Sequence, residues 1–164
     1  ATCKLALFAI LDKFSKTHGM QFVWPRLFYL YGPWEHPKRL VPTLIQSLLA
    51  GQPVKLTSGD KVRDYLHAED VARAILSVAK SDLSGAVNIG SGTPLKMKEL
   101  ADTISSLLGK SGLTQFDALP DDPADPKHVL ADNRLLLSTG WKAKYNLADG
   151  LKQTIEWWNS RCLK

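Results

Sequence analysis

Residues 21–33 read Gln-Phe-Val-Trp-Pro-Arg-Leu-Phe-Tyr-Leu-Tyr-Gly-Pro, an apolar run that ends in a Gly-Pro pair. The part Gln21–Phe28 predicts a β-strand that is buried on both faces, as strands of parallel sheets are. Pro25 has no N–H to donate to a ladder, so we place it at a sheet edge or at the end of the strand. Tyr31–Pro33 closes the strand and opens a loop.

Helical and strand patterns alternate around this strand. Before it, an apolar stripe over Leu5–Phe14 predicts a helix that Gly19 ends in a left-handed cap. The further predicted helices cover 39–50, 68–80, 96–108, 133–138 and 151–162, and the further predicted strands cover 54–57, 62–67 and 86–89. Such alternation is typical of an α/β fold.

The segment Gly112–Asp132 has a different composition. It contains three prolines and five aspartates, which predict an irregular acidic surface loop. At its end, Asp132 is predicted to cap the short helix that follows.

Composition and charge exclude several classes of protein. The chain has 164 residues, 45% of them hydrophobic and 23% charged, which suits one globular domain with a core. Its net charge of +5 comes without a dense Lys/Arg block, so we predict no nucleic-acid partner. Leu5–Leu11 is the longest apolar run and is too short to span a membrane. Cys3 and Cys162 show no metal spacing, and together with the lack of a secretory signal they predict a cytoplasmic protein without a metal site.

Residue pattern alone leaves the candidate site residues open. Arg63 follows a turn and can fork onto a diphosphate, or it can form a salt bridge to Asp60, Asp64 or Asp70. The turn Gly90–Gly92 can be a plain turn or a phosphate cradle. Arg26 can form a buried ion pair at a strand end, and Lys4 reads as a solvated helix lysine.

Four segments together narrow these alternatives. Pro25–Pro33 resembles the Arg-x-x-Asn-x-Tyr-Gly-Pro segment of the extended short-chain dehydrogenase/reductases, the NAD(P)-dependent nucleotide-sugar epimerases and dehydratases. Lys61–Ala72 resembles the family's Gln-x-Arg-Asp-Phe-x-x-Val-x-Asp-Val-Ala, and Gly85–Gly92 its Gly-x-x-Asn-Ile-Gly-Ser-Gly. Thr139–Leu151 resembles its closing Leu-Gly-Trp-x-Pro and Leu-x-x-Gly-Leu. The four lie in the family's order and span almost the whole chain.

The resemblance implies the C-terminal portion of a Rossmann-type enzyme: the last part of the parallel sheet plus a small α/β substrate-binding domain. Residues 1–33 would be the remnant of the dinucleotide-binding domain and 34–164 mainly the substrate-binding domain, with 86–92 a candidate return to the sheet. In the family's Tyr-x-x-x-Lys motif, Ala1–Lys4 align with x-x-x-Lys, so the tyrosine would precede Ala1. The glycine-rich cofactor loop would lie further upstream. We therefore expect NAD or NADP in a full-length parent, none bound by this chain, and no turnover by the chain alone.

The resemblance also assigns roles to single residues. Lys4 would be the catalytic lysine that also holds the cofactor ribose, and Leu27 would approach the nicotinamide through its backbone. Arg63 would bind the nucleotide diphosphate, and Val54 would lie against the base or ribose. Tyr29 stands where the family usually has a substrate-contacting asparagine. Leu119 is a second departure, since many members have an arginine there.

The partners expected from this reading are a nucleotide sugar, bound weakly, and a second copy of the chain. The apolar stripe over Leu5–Phe14 would be left partly exposed, and the strand over Gln21–Phe28 would have unpaired edges. Both features favour a homodimer or a strand-swapped assembly. The alternative is a non-catalytic binding or assembly module derived from the same family.

Overall fold

The computed structural model describes residues 2–162. Helices and short strands alternate through this range, so the chain has an α/β fold. The helices are α1 (Thr2–His18), α2 (Leu40–Leu49), α3 (Ala68–Ala79), α4 (Met97–Leu107), α5 (Arg134–Ser138) and α6 (Leu147–Cys162). The strands are β1 (Val23–Leu27), β2 (Tyr29–Tyr31), β3 (Val54–Lys55), β4 (Val62–Arg63), β5 (Tyr65–His67), β6 (Gly85–Ile89), β7 (Leu95–Lys96), β8 (Thr114–Gln115) and β9 (His128–Val129). In the range described, no helix has both the length and the apolar character needed to cross a bilayer.

The stretch 21–33 forms two consecutive strands, β1 and β2, in different sheets. β1 runs parallel to β6, with Pro25 opposite Val87. Between residues 2 and 162 it pairs with β6 alone, so Pro25 lies in an edge strand, as predicted. The predicted burial on both faces is wrong, since residues 25–27 are exposed. In the described part of the chain no second strand flanks β1, and α1 packs on it through the ring of Phe8.

The predicted helices are all present. Gly19 has a φ of +63° and follows α1, which confirms the left-handed cap. The last helix begins four residues earlier than predicted, because Asn146 caps it: its Oδ1 accepts a hydrogen bond of 2.9 Å from the N–H of Asp149. Asn133, rather than Asp132, is the residue before α5, and Asp132 accepts from the N–H of Arg134.

The acidic segment Gly112–Asp132 is less irregular than predicted. It contributes β8, which runs parallel to β3, and β9, which runs parallel to β4. β4 also pairs antiparallel with β7. The strands predicted on either side of the turn Ser58–Lys61 therefore do not pair with each other. Between β8 and β9 the loop crosses one face of the molecule.

Two apolar clusters hold the fold together. In the first, α2 packs between α4 and α6, and Leu44, Ile45 and Leu100 are fully buried. In the second, α3 packs against β6 and α5 around Val87 and Ile89. β2 and β5 run side by side near both clusters, with Tyr31 in the first and Leu66 in the second. The ends of these central strands position the site described next.

Candidate functional site

A cavity of about 870 Å³ opens beside the ends of the central strands. Its wall is formed by residues 27–30, by the turn before α2, by β4 and β5, and by the acidic loop. The wall holds three basic and three acidic side chains together with two tyrosines, namely Arg39, Lys61, Arg63, Glu35, Asp122, Asp125, Tyr29 and Tyr65. A cavity of this volume with charged side chains on its wall suits a small-molecule ligand that carries charge.

Arg63 reaches the cavity from β4 and is 3% exposed. Its Nη1 donates to the carbonyl of Val62 at 2.9 Å, and its Nη2 donates to Oδ2 of Asp125 at 2.8 Å. The guanidinium carbon lies 5.5 Å from the centre of the Tyr29 ring, in the range of a cation–π contact. The three aspartates that the sequence offered as salt-bridge partners are not the partners found. The carboxylate comes from the acidic loop.

Lys61 joins Arg63 on the same carboxylate. Its Nζ lies 2.8 Å from Oδ2 of Asp125 and 3.1 Å from the carbonyl oxygen of Asp122. The hydrogen bond from Lys61 and the charge of Arg63 hold the pKa of Asp125 below its usual value. Lys61 was not among the predicted site residues, because the sequence placed it in the turn before the strand, yet its side chain reaches the same carboxylate as Arg63.

Glu35 lies on the opposite part of the wall, in the turn before α2. Its Oε2 is buried and has no hydrogen-bond partner among the residues that the structure describes. Burial raises the pKa of Glu35 to about 7, against the opposing charge of Arg39. Tyr65 lies nearby, and burial raises the pKa of its hydroxyl, as does the charge of Glu35. No sequence signal marked Glu35, because a glutamate in a loop is usually solvated.

The structure brings together three of the five residues that the resemblance assigned. Leu27, 48% exposed, and Tyr29 lie on the cavity wall with Arg63. Val54 does not: it is 7% exposed and packs into the cluster around α2, because in the two-residue strand β3 its side chain faces the core. Lys4 lies on the exposed surface of α1, outside the residues that line the cavity.

The glycine turn after β6 is bound to a buried carboxylate. Asp64 is fully buried, and its oxygens accept hydrogen bonds from the N–H groups of Ser91 (2.6 Å), Gly92 (2.9 Å) and Ala131 (3.1 Å). A Cβ at Gly90 would overlap Ala131 and Asp64, so the close approach requires glycine. The amides that a phosphate would need are engaged, and this segment acts as a structural turn.

Arg26 is not in a buried ion pair. It is exposed on β1, and its guanidinium carbon lies 5.7 Å from the centre of the Phe8 ring. This contact packs α1 against the edge strand β1.

Residues 1–90 match the model of the NAD dependent epimerase/dehydratase family. The chain therefore belongs to this family, which confirms the resemblance to the extended short-chain dehydrogenase/reductases.

The similar proteins act on nucleotide sugars. The chain is 34% identical over 146 residues to the dTDP-glucose 4,6-dehydratase of Streptomyces niveus, a match that covers 87% of this chain and 43% of the relative. The UDP-glucose 4-epimerase of Thermotoga maritima, solved with UDP-glucose, superposes with a TM-score of 0.89 at 25% identity over 97% of this chain and 52% of that one. The dTDP-glucose 4,6-dehydratase of Bacillus anthracis, solved with NAD, gives a TM-score of 0.83 at 26% identity over 95% and 52%. The chain spans less than half the length of the curated relatives it matches and about half of these solved structures.

Proposed function

We propose that this chain forms the nucleotide-sugar-binding side of an NAD(P)-dependent epimerase or dehydratase. The observation that carries the proposal is Arg63, whose guanidinium is buried at the wall of the cavity and held there by the carbonyl of Val62. A guanidinium fixed in this way presents a planar set of donors that suits a phosphate group. The relatives solved with UDP-glucose or NAD support the same ligand class.

The other wall residues complete the proposed site. Lys61 adds a second cation beside Arg63, and Tyr29 offers a phenol next to the guanidinium. Leu27 lies on the cavity wall, and its backbone would approach the nicotinamide. The buried Oε2 of Glu35 would accept a hydrogen bond from a hydroxyl group of the ligand. Val54 would support the site through the core rather than touch the ligand.

The residues present do not by themselves hold a dinucleotide. NAD supplies hydride acceptance when bound, and it needs a glycine-rich turn with free amides at a helix N-terminus. Within residues 2–162 the turn Gly90–Gly92 has the N–H groups of Ser91 and Gly92 on Asp64, and Lys4 is exposed. We therefore propose that the 164 residues bind a nucleotide sugar and do not turn it over alone.

The test is a calorimetric titration of the chain with UDP-glucose and with dTDP-glucose. Arg63→Ala should weaken binding by about 10- to 100-fold, the equivalent of one charge-assisted phosphate contact of about 1.5–3 kcal/mol. Arg134→Ala is the matched control, because Arg134 is exposed and pairs with Asp132 away from the cavity. Equal affinity of the Arg63→Ala variant and the parent would contradict the proposal.

A second candidate function is a non-catalytic assembly module. The exposed apolar side chains of α1 favour it, since Leu5 and Ile10 are 64% and 65% exposed. This candidate predicts self-association without nucleotide-sugar binding, and the titration above separates the two.

A further inference from the structure

We propose that Lys61 and Arg63 form an anion site and that the carboxylate of Asp125 occupies it. This carboxylate lies where a phosphate oxygen of the ligand would bind. Binding of a diphosphate would then require the acidic loop to release Asp125. The identity of the ligand as a nucleotide diphosphate rests on the proposed function, whereas the anion site itself does not.

The geometry that carries this inference is the convergence of two cations on one oxygen atom. Oδ2 of Asp125 lies 2.8 Å from Nζ of Lys61 and 2.8 Å from Nη2 of Arg63. An oxygen bound by an ammonium and a guanidinium at these distances has the surroundings of a phosphate oxygen in a protein site. Both cations line the cavity, so a ligand inside it can reach them.

The three partners differ in how firmly the fold holds them. The side chain of Arg63 is 4% exposed and that of Lys61 is 16% exposed, whereas that of Asp125 is 40% exposed. Arg63 belongs to β4, which is paired on both sides with β7 and β9. Asp125 lies in the loop between β8 and β9 and has no strand partner. The cations are therefore the fixed part of the site, and the carboxylate is the part that can leave.

Release of Asp125 would break few other contacts. Its N–H makes a long hydrogen bond of 3.3 Å within the loop, to the carbonyl of Asp122. The N–H of Ala124 donates to the side chain of Asp122, a contact in this turn that does not involve the carboxylate of Asp125. The N–H groups of Ala118 and Leu119 both donate to the carbonyl of Leu56 at 3.0 Å, so the loop is anchored on one side of Asp125. The loop can thus turn at Asp125 and remain attached to the body.

Charge decides which ligands can displace the carboxylate. With Asp125 in place, the carboxylates of the acidic loop offset much of the positive charge of the three basic side chains on the cavity wall. Asp125 offers one negative charge to two cations, whereas a diphosphate offers at least two. A neutral or singly charged ligand gains little by replacing Asp125. The site therefore favours diphosphates over weakly charged ligands, and it limits the affinity for all of them.

The experiment compares the parent chain with Asp125→Asn by calorimetric titration with UDP and, separately, with inorganic pyrophosphate. Removing the competing carboxylate should tighten binding of both probes by about three- to tenfold. Asp117→Asn is the matched control: it removes the same charge from the same segment, lies outside the cavity lining, and tolerates the positive φ of 59° at that position. Its affinities should equal those of the parent.

Three further variants test whether the gain acts through the cations. In an Arg63→Ala background, Asp125→Asn should give a smaller gain, and Lys61→Gln should weaken binding of pyrophosphate in the parent background. Asp125→Ser should repeat the effect of Asp125→Asn, which guards against a local disturbance caused by one substitution. Unchanged or weaker binding by both Asp125 variants would overturn the inference.

Failure of the inference and failure of the proposed function give different results. If UDP binds in an Arg63-dependent manner but the Asp125 variants bind no more tightly, the function stands and the inference falls. If pyrophosphate binds more tightly to the Asp125 variants while UDP and the nucleotide sugars bind no better than pyrophosphate, the anion site stands and the function falls. If neither probe binds any variant, both are wrong.

Discussion

Glu35 shows how one residue can be recognised only from the folded chain. In the sequence it is a glutamate between a tryptophan and a histidine, with nothing to distinguish it from a solvated loop residue. In the structure one of its oxygens is buried without a partner on the cavity wall. Such a group has a cost in the folded state, and we attribute its presence to a hydrogen bond that a bound ligand would donate.

The first prediction concerns the pH dependence of stability at Glu35. Its pKa rises from 4.5 to about 7 on folding, so between these values the folded state holds a proton that the unfolded chain has lost. Stability from this group is complete below pH 4.5 and is lost as the pH rises to 7. Glu35→Gln should therefore become more stable than the parent across this range, by about 1–2 kcal/mol at pH 8 once solvent screening of the partly exposed side chain is allowed for.

Urea unfolding at intervals from pH 5 to pH 8 measures this difference. Glu156→Gln is the control, because Glu156 is exposed on α6 and its substitution should leave the pH profile unchanged. A constant difference between Glu35→Gln and the parent at every pH would show that Glu35 is not buried as described.

At the scale of elements, Asp64 links parts of the chain that are far apart in sequence. It lies between β4 and β5, and it accepts backbone hydrogen bonds from the turn after β6 and from Ala131 before α5. The arginine beside it in sequence points to the cavity instead, because neighbouring residues in an extended segment face opposite ways. One short segment thus contributes Arg63 to the cavity wall and Asp64 to the hydrogen bonds that hold the fold together.

Asp64→Asn should destabilise the fold. An amide nitrogen cannot accept the hydrogen bonds that one of the carboxylate oxygens receives, so buried N–H groups lose their partner, at a cost of about 2–4 kcal/mol. Thermal unfolding should show a clear fall in Tm. Asp60→Asn, at an exposed position in the preceding turn, should change it little. A Tm equal to that of the parent for Asp64→Asn would argue against the hydrogen-bond network.

The sequence allowed the helices to be predicted far better than the strands. All helices except the five-residue α5 are long enough for an apolar stripe, and a glycine follows several of them, as Gly19 follows α1 and Gly51 follows α2. Strands of two residues, such as β8 and β9, are too short to show any alternation. The prediction that β1 is buried was wrong, because the apolar composition of a strand does not show what will cover it. Its burial depends on neighbours that lie elsewhere in the chain.

The candidate site, too, could be predicted only in part. Arg63, Leu27 and Tyr29 were found through the family motifs, and all three line the cavity. The partner of Arg63 could not be predicted, because Asp125 is 62 residues away and reaches it only through the course of an irregular loop. Val54 was placed at the ligand by resemblance, whereas its burial in the core follows from tertiary packing.

At the scale of the whole molecule, α1 has several apolar side chains exposed to solvent. Leu5, Ile10 and Phe14 are 64%, 65% and 49% exposed, and β1 beside it has an unpaired edge within the residues described. Apolar side chains on one exposed helix, next to a free strand edge, favour association with another chain. The expectation of a homodimer or a strand-swapped assembly rests on this surface.

Light scattering at micromolar concentration should therefore give a mass above the 18.1 kDa of one chain. Ile10→Glu should shift the distribution toward the monomer, because a charge in the contact must be desolvated. Lys142→Glu, a charge change at an exposed position outside α1, should leave the mass unchanged. A monodisperse 18.1 kDa species in the parent chain would contradict this expectation.

The claim that the cavity receives the diphosphate of a nucleotide sugar is tested most directly by NMR. The measurement is a titration of the ¹⁵N-labelled chain with UDP, followed through the backbone amide resonances and the Nε–H of Arg63. We predict that the largest shifts lie in residues 27–30, 61–63 and 120–126, with the Arg63 side chain among them. Shifts confined to the turn Gly90–Gly92 or to α1, with the Arg63 resonance unmoved at saturation, would contradict the claim.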